Sequence, residues 1–213
     1  MLQKEYWDSV SETKTFTTPF QAEEFTEFVE KDARIADIGC GYGRTLAELH
    51  TMGYKKLVGF DISDGMIRRG RKLHPFLDLR VMEEGKTGLA DSSADAVILF
   101  AVLTCISADD DQERLMGEVR RILKPGGILY VNDFLLNSDE RNRSRYDKYA
   151  AAYGTYGVFE LPEGAAVRHH TEEHVEKLLR DFTKRRYGHL TFTTMNGNRS
   201  NGFFYIGQTG SAE

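Results

Sequence analysis

Three glycines at alternate positions, Gly39, Gly41 and Gly43, stand directly behind an apolar run that ends in Asp37, within the stretch IADIGCGYGR of residues 35–44. A tight turn needs one or two glycines. Three at this spacing describe a loop stripped of side chains so that a ligand can lie against its backbone. A second carboxylate, Asp61, closes the next β-rich run, KLVGFD at residues 56–61. A strand, a glycine-rich turn, a helix and an acid at the end of the following strand form the nucleoside-binding unit of doubly wound folds, the acid accepting hydrogen bonds from two adjacent ribose hydroxyls. The dinucleotide fingerprint would need its third glycine at position 44, where Arg44 stands. Asp37 would also repel a pyrophosphate, whereas it suits a ligand carrying an amino or sulfonium cation. An NAD-dependent oxidoreductase stays as an alternative that this spacing opposes.

The elements that must hold these residues are legible as β-rich runs separated by helical patterns, the mark of a parallel sheet covered on both faces. A helix is expected over residues 19–31, strands over 33–38, 56–61, 77–82, 94–102 and 128–133, and helices over 43–52, after Ser63, and over 110–123. The run ADAVILFAV is almost wholly apolar, as a central strand buried on both faces must be. Pro125, Gly126 and Gly127 punctuate the chain before the fifth strand. A helix starting near Thr171 precedes two alternating runs around NGNRSNG, which predict a hairpin whose second strand is antiparallel to its neighbour. The tail TGSAE reads as disordered.

In order and interval, ADIGCGYGR, LVGFDIS, ADAVILFAVL and EVRRILKPGGILYV together resemble the motifs of the class I S-adenosylmethionine-dependent methyltransferases, in the small-molecule, type 11-like branch. The resemblance spans nearly the whole chain. It implies an α/β, three-layer Rossmann-like fold with a seven-stranded, mostly parallel sheet and an antiparallel C-terminal hairpin strand. It also implies a single domain over residues 1–213, with an N-terminal cap (1–32) and an insertion at 134–170 that covers the acceptor side. The cofactor implied is S-adenosyl-L-methionine, with S-adenosyl-L-homocysteine as product. Position by position, Asp37 and the backbone of Gly39, Gly41 and Gly43 hold the methionine part, with Cys40 and Arg44 in the same motif. Asp61 takes the ribose and Ile62 packs on adenine. Where the family carries a Gly-Asp pair after strand three this chain has MEEGKTGL, so Glu84, with Glu83 in reserve and Gly85 beside them, stands for the contact to the adenine amino group. Phe100, Ala101 and Leu103 border the methionine and the methyl group, and Tyr6 and Trp7 belong to a segment that closes over the cofactor.

Methyl transfer is an in-line displacement that asks for alignment and a dry pocket, so no metal is implied and no catalytic residue is obvious. Tyr146, His169 and His170 are weak candidates for a base, each read first as structural. RNRSRYDKYAAAYGTYG at 141–157 holds three arginines and four tyrosines and could clamp a carboxylate or phosphate; the bland reading is a solvated helix. The net charge of −5 argues against nucleic acid or an anionic membrane as partner. Cys40 and Cys105, the two cysteines, read as free thiols. The N-terminus lacks a signal-peptide pattern, so a cytoplasmic protein acting on a small-molecule acceptor, as a monomer or homodimer, is expected. A methyltransferase-like protein that binds cofactor without catalysis is the second alternative. Two other motif matches fail: GKT at 85–87 lacks the glycine of a phosphate loop five residues earlier, and HTEEH at 170–174 lacks glutamate directly after its first histidine.

Overall fold

The computed structural model describes residues 3–83, 85–194 and 197–211. Strands β1 (Arg34–Ile38), β2 (Lys56–Asp61), β3 (Asp78–Val81), β4 (Ala94–Phe100), β5 (Leu123–Phe134), β8 (Thr183–Thr193) and β9 (Arg199–Gln208) form one sheet of order β3-β2-β1-β4-β5-β9-β8. The first five pair in parallel; β9 runs antiparallel to both β5 and β8. This is the expected seven-stranded sheet. A short antiparallel pair, β6 (Val158–Glu160) and β7 (Ala166–Arg168), lies apart from it.

Strand pleating sends successive residues to opposite faces, and both faces are buried. In β4, Val97 and Leu99 join one core with Met116, Val119 and Ile122 of helix α5 (Asp109–Ile122) and with Val175 and Leu178 of α7 (Glu172–Leu178). Ala96 and Ile98 face the other core, with Phe25 of α2 (Ala22–Thr26), Leu46 and Leu49 of α3 (Arg44–Thr51) and Ile67 of α4 (Asp64–Leu73). Sequence-local chemistry sets the helix starts. Ser63 caps α4 by accepting from Met66 N–H at 3.0 Å, Thr171 caps α7, and Asp139 caps α6 (Glu140–Tyr153).

Four expectations change. The helix foreseen over 19–31 is regular only at Ala22–Thr26, because no side chain caps it and the burial of Phe20, Phe25 and Val29 sets the backbone path instead. The apolar run of strand four stops pairing at Phe100, where Ala101 turns into the left-handed region (φ 55°) and donates its N–H to Asn132 O at 2.7 Å. Helix α5 ends at Ile122, ahead of Pro125, and the chain is already extended at Leu123. A helix unforeseen in the sequence, α1 (Gln3–Val10), lies at the N-terminus. Of the tail, residues 212–213 lie outside the described residues. No helix among the described residues is long and apolar enough to cross a membrane.

Candidate active site at the ends of the parallel strands

A cavity of about 640 Å³ opens at the C-terminal ends of β1, β2 and β4, the end of such sheets where ligands bind. Gly39 and Gly41 are on its wall, with Gly39 N–H and Cys40 N–H both donating to Phe60 O, at 2.7 and 3.0 Å. The reason for the glycines differs from the sequence reading. All three have positive φ, and a Cβ at Gly39 would stand 2.4 Å from Val102, one at Gly41 2.4 Å from the Phe16 ring, and one at Gly43 3.1 Å from Leu77. The protein's own side chains take up the missing Cβ positions. The cavity lies beside Gly39 and Gly41 and is walled by the same Val102 and Phe16, while Gly43 is turned away from it as the left-handed N-cap of α3.

Two carboxylates meet this loop. Asp61 Oδ2 accepts Gly41 N–H and its Oδ1 accepts Ser63 N–H, each at 2.8 Å, so it fastens the glycine loop to the turn after β2. A carboxylate offers about four acceptor positions. Backbone donors take part of that capacity, and Asp61 is on the cavity wall, where what is left can accept from a ligand hydroxyl. Burial raises its pKa, the backbone N–H groups of Ser63, Gly41 and Ile62 oppose that rise, and Asp8 adds to it. Asp37, 1% exposed, has an Oδ1 with no hydrogen-bond partner, and its carboxyl is pushed up to about 7, first by burial, then by the neighbouring Asp61, with Arg44 pulling the other way. A buried oxygen of this kind, facing a cavity, fits a cationic ligand group.

Of the other foreseen site residues, Trp7, Cys40, Arg44, Ile62, Gly85, Phe100 and Ala101 line the cavity. Tyr6 sits behind Trp7, their rings 5.0 Å apart and edge-on, and Leu103 is wholly buried in the core; neither reaches the wall. Glu83 is exposed, bridged to Lys86 and off the wall, and Glu84 lies outside the described residues. Cys40 also packs its sulfur beneath the loop, 2.8 Å from where a Cβ of Gly59 would be, and burial raises its thiol pKa.

The sequence reading missed Phe16, Thr18, Met66, Val102, Cys105 and Ser107, which line the cavity too. Phe16 and Thr18 lie in a segment with no periodicity, and Phe16 is recognisable only by its contacts: it stacks on Tyr42 with centroids 4.9 Å apart. The 102–107 segment is held from behind. Asp133 accepts Thr104 N–H at 3.1 Å, and Gln112 donates to Leu103 O and Ile106 O at 3.0 and 2.6 Å. The cover over the cavity comes from the N-terminal segment. Asp8 of α1 accepts from Ser63 Oγ and Gly65 N–H at the start of α4, at 2.7 and 2.9 Å.

Tyr146, His169 and His170 are not on the wall, nor is any described residue of 134–170. Tyr146 Oη lies 2.6 Å from His169 Nδ1, and Asn137 Nδ2 3.1 Å from the same nitrogen, in a sealed cluster. Burial first and Arg145 next hold His169 neutral, its pKa well below the ordinary value; burial puts that of His170 at about 3. His170 Nε2 takes part in the Gln112 network at 2.9 Å. The fold places all three candidates for a base in buried positions away from this cavity. The arginine- and tyrosine-rich stretch is α6, a helix with exposed Arg141, Arg143 and Lys148 and no part in the cavity.

A family model described as "Methyltransferase domain", of type 11, matches residues 36–131, from the glycine loop through β5. A solved S-adenosylmethionine-dependent methyltransferase structure from Methanosarcina mazei superposes with a TM-score of 0.84 at 27% identity, covering 91% of this chain and 99% of that one. A demethylmenaquinone methyltransferase from Beutenbergia cavernae is 28% identical over 70% of this chain and 59% of its own length. A probable S-adenosylmethionine-dependent methyltransferase from Mycolicibacterium smegmatis is 29% identical over 46% of this chain and 37% of its own length, so the matches span about a third to three-fifths of these curated relatives. A dinucleotide-binding sheet continues past its fifth strand in parallel, whereas here antiparallel β9 takes that place. Together these likenesses support a class I S-adenosylmethionine-dependent methyltransferase.

Proposed function

We propose that the protein transfers the methyl group of S-adenosylmethionine to a small-molecule acceptor. The observation that carries the reading is the pair of carboxylates on one cavity wall: Asp61 with acceptor capacity left for the ribose hydroxyls, and Asp37 with an unpartnered buried oxygen for the amino group. Ile62 would pack against the adenine, and the Gly39 and Gly41 backbone would border the methionine part. When bound, the cofactor supplies a methyl group already activated on a cationic sulfur. What this chain contributes is binding, alignment and exclusion of water. Trp7 and Phe16 from the N-terminal segment and Phe100 from β4 give the remaining space apolar walls, which supports a small acceptor with an apolar body.

Calorimetry with S-adenosylhomocysteine tests the reading. Binding in the micromolar range is expected, and Asp61→Ala should weaken it by roughly 2 to 4 kcal/mol, the scale for losing charge-assisted hydrogen bonds to a buried ligand. Equal affinity in the variant would remove Asp61 from the site. Turnover of any acceptor separates a methyltransferase from a protein that holds the cofactor without catalysis.

A further inference from the structure

No described residue of 134–170 is on the cavity wall, yet the β6–β7 hairpin within that stretch holds two pieces of the wall from behind. One is the N-terminal cover. Gln3 Nε2 donates to Ala166 O, and Lys14 Nζ pairs at 3.2 Å with Glu163 in the hairpin turn, so the cover is fastened at the start of α1 and just beyond its end. Gln3 and Trp7, one helical turn apart, are the α1 residues on the wall. The other piece is the segment after β4, whose wall residues include Cys105, Ile106 and Ser107. Arg168, the last residue of β7 and 5% exposed, donates from Nη1 to Ser107 O at 3.0 Å and pairs with Asp109 at 2.6 Å, while its carbonyl accepts Thr104 Oγ1–H at 2.8 Å. The hairpin is itself fixed: Val158 and Phe159 are buried, the Arg145 guanidinium of α6 lies 3.6 Å over the Phe159 ring, and His169 N–H donates to Gly157 O at 3.0 Å. Where the two pieces of wall meet, the Trp7 side chain is a hydrogen-bond partner of the Cys105 sulfur.

We propose that the β6–β7 hairpin sets the width of the gap between α1 and residues 105–107, with Arg168 as the positioning residue that joins hairpin to wall; that this gap receives the acceptor rests on the reading above. An in-line displacement depends on alignment, and a misplacement of about 1 Å can cost about 100-fold in rate. A hairpin that never touches the ligand therefore selects which acceptor fits. The stretch foreseen as an acceptor-side cover acts on that side from outside the cavity.

Trp7 is the chain's one tryptophan, so its fluorescence reports this contact alone. Acrylamide quenching of Trp7 is compared in wild-type protein, Arg168→Met, Lys14→Met, the double variant, Arg168→Lys, and Arg180→Met, which breaks an exposed pair with Glu113 as a control. Arg168→Met and Lys14→Met should each raise the quenching constant by about twofold or more, and the double variant should add little to the larger single effect, because both cut one connection. Arg168→Lys, which keeps a cation beside Asp109, should recover part of the loss, and Arg180→Met should match wild type. Quenching equal to wild type in both single variants overturns the proposal. So does a double variant equal to the sum of the singles, which would make them separate anchors, or a rise in Arg180→Met, which would report general loosening. Where Arg168→Met fails to fold, hydrogen exchange of the 102–107 amides in Lys14→Met decides: exchange faster by about threefold or more supports the proposal, and wild-type rates overturn it. The reading of the cavity fails separately, if wild-type protein binds no S-adenosylhomocysteine.

Discussion

On the proposed reading, in which Asp37 meets the cofactor's amino group, the cofactor's affinity is a function of pH. Its carboxyl is buried, has an oxygen without a partner, and is pushed up to about 7 by burial and by Asp61, against the pull of Arg44. Pairing with the cofactor's amino group would favour the ionised form and return its pKa to the ordinary carboxylate range. Since the pKa is lower in the complex than in the free protein, binding releases a proton below pH 7. Affinity then falls as the pH falls, approaching about 1.4 kcal/mol or tenfold per unit well below pH 7, and by about 50-fold between pH 7 and pH 5. The ligand's own α-amino group, with a pKa of about 8, stays charged throughout that window. Calorimetry with S-adenosylhomocysteine at pH 5, 6 and 7, in two buffers of different ionisation heat, measures both the slope and the proton released. Asp37→Asn should bind at the low-pH level throughout and show no slope. Equal wild-type affinity at pH 5 and 7 would refute the reasoning. The same slope surviving in Asp37→Asn would move the titration to Asp61, whose carboxyl is also raised and lines the same cavity.

Two predictions concern the groups behind the wall. Asp133 is fully buried and pushed up to about 7 by burial, against hydrogen bonds from Phe134 and Thr104 N–H. Because the folded pKa exceeds the unfolded one, the folded state holds a proton that the unfolded state has released. Stability present near pH 4 is therefore lost as the pH rises toward 7, by about 4 kcal/mol at most from this group. Urea melts at pH 5 and pH 8 should show Asp133→Asn losing less stability across that interval than wild type; an identical loss would remove Asp133 from the account. Tyr146→Phe should cost about 1 to 2 kcal/mol in the same melts, through the lost contacts to His169 and Asn137, and leave S-adenosylhomocysteine affinity within twofold. A loss of turnover at unchanged stability would restore Tyr146 as a catalytic candidate.

The parallel core was legible because its signals are local and repeated. β1, β2 and β4 are short apolar runs, the first followed by a glycine turn and the second by the Ser63 helix cap, and the burial that such runs demand admits few arrangements besides a sheet covered on both faces. Asp37 and Asp61 were legible for the same reason: each lies at or one residue before the end of a strand at the ligand-binding edge, so placing the strand places the carboxylate. The roof was not. Phe16, Thr18 and the 102–107 segment lie outside periodic elements, and contacts distant in sequence, such as Phe16 over Gly41 and Gln112 beneath Leu103 and Ile106, decide where they stand. His169, His170 and Tyr146 show the converse. Their residue types allow acid–base chemistry, yet position in the core turns them into partners for one another and for Asn137 and Gln112.

By itself, then, the sequence determined the sheet, the strand-end carboxylates and the left-handed turn that demands glycine, because hydrophobic periodicity and backbone sterics act over a few residues. Only the tertiary structure decided which side chains fill the glycines' missing Cβ positions and which histidines are sealed from solvent. Those are questions of what comes within a few ångströms across the fold, and a residue's neighbours in sequence do not carry that distance.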